Sequence, residues 1–116
     1  MKFSVRNLTR GSLLGESIEL ADTSELRRTG LLKRKSLESG QGLWIVPCEA
    51  VHTFFMKFAI DIVYLDRQRK VKKAVGSVMP WRLSACLVAH STLELPSGTI
   101  AGTGTQAGDQ LEFNKI

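Results

Sequence analysis

The stretch from Pro47 to Asp66, PCEAVHTFFMKFAIDIVYLD, restricts the folds open to this chain more than any other part of it. Val51, Thr53, Phe54, Phe55, Ile60, Ile62, Val63 and Tyr64 are β-branched or aromatic, and such side chains fit the pleated surface of a sheet better than the flank of a helix. The pattern predicts two strands broken near Phe58 and Ala59. In the first, alternation sets His52, Phe54 and Met56 on one face and Thr53, Phe55 and Lys57 on the other. In the second, Ile62, Val63, Tyr64 and Leu65 form an unbroken apolar run, the pattern of a strand buried on both faces. Phe54 and Ile62 are therefore expected in the core.

The remaining residues supply further short strands and one helix. Phe3 and Val5 alternate with polar neighbours up to Leu8, and Ile18 and Leu20 make a second short strand. Asp22 stands as a helix N-cap with Glu25 three residues on, and Leu26 to Leu32 have helical composition interrupted by Gly30. Leu43 to Val46 reads as a strand stopped by Pro47, and Thr92 to Leu95 as one stopped by Pro96. Asp66-Arg67-Gln68-Arg69 is a hairpin turn leading into Val71, Ala74 and Val75, and Met79 to Arg82 is a strand end or loop. The segment from Ser84 to His90 fits neither pattern cleanly. The glycine-rich stretch 97–109 predicts turns with one short helical turn before a last strand at Leu111 to Phe113. A chain of 116 residues has room for one core, so the expected fold is a single mainly β (α+β) domain over residues 1–116. Its form is a compact curved sheet or partly closed β-barrel with one short N-terminal helix.

Charge narrows the function less than pattern narrows the fold. The net charge is +5 and the basic residues gather at Arg27 and Arg28, at Lys33 to Lys35, and at Arg67, Arg69, Lys70, Lys72 and Lys73. The ordinary reading of the last group is solvated charge on a hairpin tip. With Tyr64 the only aromatic near it in sequence, nucleic-acid binding is expected to be weak at most. No apolar run approaches the ~20 residues of a membrane-spanning helix, so no membrane partner is expected. The first residues lack the apolar core of a secretory signal, which points to the cytoplasm and to Cys48 and Cys86 as reduced thiols.

Several segments, RRTGLLKRKSL from Arg27, VHTFFMKFAIDIVYLD from Val51, PWR from Pro80, LELPSG from Leu93 and GDQL from Gly108, together resemble the domain-of-unknown-function 192 family, small proteins of bacteria and archaea. The resemblance runs from Arg27 to Leu111. It implies a mainly β domain with a short helix near its start, and it assigns no residue a catalytic role. Two positions depart from the family pattern: Ala59 stands where relatives have proline, and Arg69 and Lys70 stand where a glycine is expected before Val71. A left-handed backbone at such a non-glycine residue costs about 1 kcal/mol.

Among residues that carry chemistry, Cys48 with His52 and Cys86 with His90 share a Cys-x3-His spacing. Four such ligands suit a tetrahedral zinc site only if each pair bends, because residues four apart on a strand lie roughly 13 Å from each other. The ordinary reading is two buried thiols and two hydrogen-bonded histidines, so no metal and no cofactor is expected. Cys48 and His52 meeting across a turn would make the nucleophile and base of a cysteine-dependent hydrolase, or two ligands of a metal-dependent one, but no protease-like signature surrounds them. Glu94 and Asp61 as paired carboxylates compete with Asp61 as an acceptor of backbone N–H groups, and Asp109 reads as a turn residue. The leading expectation is a binding domain that takes a small molecule or peptide segment in a pocket beside the central strands. Its aromatic wall and polar groups are His52, Thr53, Phe55, Met56, Trp81 and Arg82.

Overall fold

A computed structural model describes all 116 residues. Nine strands and two short helices follow one another along the chain. They are β1 (Lys2–Asn7), β2 (Ser12–Ala21), α1 (Ser24–Thr29), β3 (Gln41–Ile45), β4 (Ala50–His52), β5 (Ile60–Leu65), β6 (Val71–Val78), β7 (Leu83–Ala85), β8 (Ser91–Pro96), α2 (Thr99–Thr103) and β9 (Leu111–Lys115). Seven strands form one curled sheet in the order β6-β5-β8-β3-β2-β1-β9, and β4 and β7 form a separate two-stranded sheet. All neighbours are antiparallel except β2 and β3, which run parallel because the chain returns through α1 over one face. The two edges of the large sheet meet at one end. Lys70 bridges Gln110, and the Val71 N–H donates to the Asp109 carbonyl at 2.8 Å, which makes a half-barrel closed at one corner.

The run Ile60 to Leu65 is buried throughout, as its composition predicts. Val63 and Leu65 point inward with Leu93 and Leu95 to the barrel core, where Trp44 and Phe113 stack at 4.1 Å. Ile60, Ile62 and Tyr64 point outward into a second apolar layer with Leu31, Leu43, Ile45 and Met56. The outer layer exists because α1, the loop after it and the β4–β7 sheet cover that face. Tyr64 ties the small sheet down by donating its hydroxyl hydrogen to Ser84 Oγ at 2.8 Å.

Local expectations are met in most places and corrected in four, the first being the second strand, expected short at Ile18 and Leu20 but running ten residues from Ser12 to Ala21. The helix begins one residue later than expected: Thr23, not Asp22, is the N-cap, and its Oγ1 accepts from the Leu26 N–H at 3.1 Å. The helix ends at Gly30, whose positive φ of 49° stops it short of Leu32. The larger correction falls between residues 53 and 58, where the predicted strand is a turn at Phe54 and Phe55 followed by a bend, and only Ala50 to His52 is extended. Phe55 has a φ of 66°, which breaks the alternation, and Phe54 is half-buried at the surface rather than in the core. At the hairpin the expectation holds. Asp66 Oδ1 accepts from the N–H groups of Gln68 and Lys70, and Arg69 takes the left-handed conformation with a φ of 66° in the absence of glycine.

Candidate functional site

Strand β8 carries the sequence Leu93-Glu94-Leu95, and the alternation that sends both leucines inward turns Glu94 to the outer face. There it sits between Leu43 of β3 and Ile62 of β5, opposite both in register. The covering segment over this face leaves Glu94 only 4% exposed. Its Oε1 has no hydrogen-bond partner, and burial pushes the carboxyl up from 4.5 to about 7. An uncompensated buried carboxylate is costly, so the group favours its proton over its charge.

A cavity of about 50 Å³ lies against Glu94, bordered also by Arg27, Leu31, Ile45, His52 and Met56. Arg27 comes from the last turn of α1. Its Nε is buried and lacks a partner, while its Nη2 reaches Ser24 Oγ at 3.5 Å. Two residues that line the same cavity therefore each carry an unpaired buried polar atom, a carboxyl oxygen on Glu94 and a guanidinium N–H on Arg27. Arg27 and Ile45 also line a broader open cleft of about 530 Å³ with Pro47, Cys48, Glu49 and His90.

The six residues expected at a site divide among three environments. His52 and Met56 border the cavity beside Glu94. Thr53 is buried and its hydrogen bonds are spent on the fold: its N–H donates to the Arg82 carbonyl, and its Oγ1 donates to the Met79 carbonyl at 2.7 Å and accepts from the Arg82 N–H at 2.9 Å. Phe55, Trp81 and Arg82 stand exposed at the tip of the two loops that Thr53 joins, with the Phe55 and Trp81 rings 4.7 Å apart.

The alternative constellations separate as well. No three His, Cys, Asp or Glu side chains gather as a metal-binding group. Cys48 Sγ donates to the Ala50 carbonyl at 3.3 Å, and the His52 ring stacks on Phe54 at 5.1 Å. Asp61 lies next to Ile62 in β5 and so points to the face opposite Glu94, where its oxygens accept from the N–H groups of Ser77 and Ile100 at 2.8 and 2.7 Å. Asp109 accepts from Asn7, Arg10 and the Gln106 N–H at the closed corner of the barrel. Three of the five basic residues in the β5–β6 turn are drawn into the fold. Arg69 covers the Trp44 and Phe113 rings, Lys72 faces Asp66 at 4.0 Å, and Lys73 donates to the Ala85 carbonyl.

Comparison with known proteins supplies a family but no activity. The model of the domain-of-unknown-function 192 family, described as uncharacterized ACR, matches residues 6–113. A UPF0127 protein of Pyrococcus furiosus is 29% identical over 95% of this chain and 97% of its own. A UPF0127 protein of Thermococcus kodakarensis is 29% identical over 92% of this chain and 71% of its own. Among solved structures, a Sinorhizobium meliloti protein provisionally assigned as a transcription regulator superposes with a TM-score of 0.83 at 18% identity, covering 97% of this chain and 92% of that one. A protein of unknown function from Novosphingobium aromaticivorans superposes with a TM-score of 0.79 at 22% identity, covering 97% and 84%. At such identities the likeness shows a shared fold.

Proposed function

Because the chain belongs to the domain-of-unknown-function 192 family, whose description names no activity, we propose from the geometry alone that it is a binding domain for a small molecule or peptide segment, held in the cleft between α1 and the outer face of the sheet. The observation that carries this reading is that two residues lining one cavity each hold an unpaired buried polar atom, Glu94 Oε1 and Arg27 Nε. Leaving a buried polar atom without a partner costs about 1 to 3 kcal/mol, a penalty that a ligand offering the missing partner removes. The cavity has room for about one or two water-sized groups. The bound molecule therefore inserts one terminal group, an amide or hydroxyl that donates to Glu94 and accepts from Arg27, while the rest of it lies in the wider cleft toward Cys48 and His90. His52 and Met56 form the side of the inner cavity. A hydrolytic reading has less support, since Cys48 and His52 are engaged with different neighbours.

The test is a two-dimensional NMR titration with small amides, alcohols and carboxylates. Amides or alcohols should shift the Arg27 Nε–H resonance and the backbone signals of His52, Met56 and Glu94, and Glu94→Met should abolish those shifts. Shifts that fall elsewhere, or that survive Glu94→Met, refute the assignment.

A further inference from the structure

Four large apolar side chains stand in solvent at one end of the small sheet: Phe55 is 70% exposed, Met79 56%, Trp81 57% and Leu83 76%. Two of them occupy backbone conformations that bulky residues avoid, with φ of 66° at Phe55 and 68° at Trp81. Such strain persists only where the surroundings impose it. Here Thr53 imposes it, since its carbonyl accepts from the Met56 and Trp81 N–H groups while its side chain binds the Met79 carbonyl and the Arg82 N–H. The two loops are thus fastened into one rigid tip whose apolar side chains face outward.

The charge carried by the two loops themselves has one sign. Lys57 and Arg82 flank it, and no Asp or Glu occurs between Glu49 and Asp61 or between Asp66 and Glu94. Asp61 itself is buried, with both oxygens taken by backbone N–H groups. We infer that this tip is a docking surface for an anionic lipid bilayer, with Phe55, Met79, Trp81 and Leu83 entering the interfacial region and Lys57 and Arg82 meeting the acidic headgroups. Aromatic and aliphatic side chains with a basic border are the combination that partitions to such an interface. The expectation of no membrane partner rested on spanning length alone, which has no bearing on a surface that only rests on lipid.

Two other occupants fit less well. A second copy of this chain, related by a two-fold axis, would set Lys57 and Arg82 against their own equivalents. Single-stranded nucleic acid needs open ring faces, whereas the Trp81 ring is stacked on Phe54 at 5.9 Å and packed against Phe55 at 4.7 Å. Met79 and Leu83 offer a base nothing to stack on.

The experiment is co-sedimentation of the full chain with vesicles of phosphatidylcholine containing one third phosphatidylglycerol, beside vesicles of phosphatidylcholine alone. Binding to the acidic vesicles and not the neutral ones is expected, with a blue shift in tryptophan emission assignable to Trp81 because Trp44 is buried. Lys57→Gln and Arg82→Gln should each weaken partition about five-fold. Phe55→Asn with Trp81→Asn should abolish it while the melting temperature holds, since asparagine tolerates a positive φ. Absence of binding to the acidic vesicles overturns the inference, as does binding that the asparagine pair leaves intact. Self-association or oligonucleotide binding lost in that pair, without vesicle binding, overturns it equally.

Discussion

Glu94 makes the stability of this domain depend on pH in an unusual direction. In the unfolded chain its carboxyl ionises near the ordinary value of 4.5, and in the folded chain burial defers ionisation to about 7. Between those values the native state holds a proton that the unfolded state has released, so raising the pH draws the equilibrium toward unfolding. The contribution is fully present below pH 4.5, is lost as the pH climbs to about 7, and stays lost above that. The interval corresponds to about 3 kcal/mol, at about 1.4 kcal/mol for each tenfold change. Glutamine keeps the shape and both hydrogen-bonding functions of the protonated acid but cannot ionise. Urea unfolding of the wild type and Glu94→Gln, run from pH 4.5 to pH 8, should therefore give similar stabilities at the acidic end. At the alkaline end the variant should be more stable by about 3 kcal/mol. A difference that stays constant across the range would show that the carboxylate is solvated or paired with Arg27, and the account of the site would fall.

Other substitutions test the parts of the fold that hold the site. Thr53→Val keeps the volume but strands the Met79 carbonyl and the Arg82 N–H, so it should cost about 1 to 3 kcal/mol in chemical unfolding and speed protease cleavage within residues 53–58 and 79–83. Ile62→Ala removes a side chain with no exposed surface and should cost about 2 to 5 kcal/mol, whereas Phe54→Ala, taken from a half-buried position, should cost clearly less. Equal losses in a thermal melt would place Phe54 in the core after all.

The contrast between Ile62 and Phe54 shows what the sequence discloses and what it hides. Ile62 lies in a run with no polar break except Asp61 at its start, and only burial on both faces accommodates such a run, so β5 is legible in isolation. VHTFFMKF alternates equally well on paper. Its departure from a strand depends on Thr53 reaching Met79 and Arg82, contacts between residues 26 and 29 apart that no local pattern records. The parallel pairing of β2 with β3 is hidden for the same reason. At the site, His52 and Met56 were legible as companions of an apolar stretch. Glu94 was legible only as a possible partner of Asp61 and not as a buried carboxyl, because a charge between two leucines on a strand ordinarily faces water, and here the segment carrying Arg27 and Leu31 covers it. The one available signal was that Leu93-Glu94-Leu95 belongs in the middle of the sheet, where both faces have something to pack against.

The corner where the barrel closes also bears on how the chain reaches this structure. Strand β1 has β2 on one side and β9 on the other, and its Asn7 side chain meets Asp109, 102 positions away in sequence. During synthesis β1 must wait, with one edge unpaired, until the segment about a hundred residues further along has been made. Contacts of such long separation slow folding and expose a strand edge to neighbouring chains meanwhile. The polar residues Lys2, Ser4 and Arg6, spaced along β1, suit that interval: they discourage pairing with the wrong partner until β9 arrives.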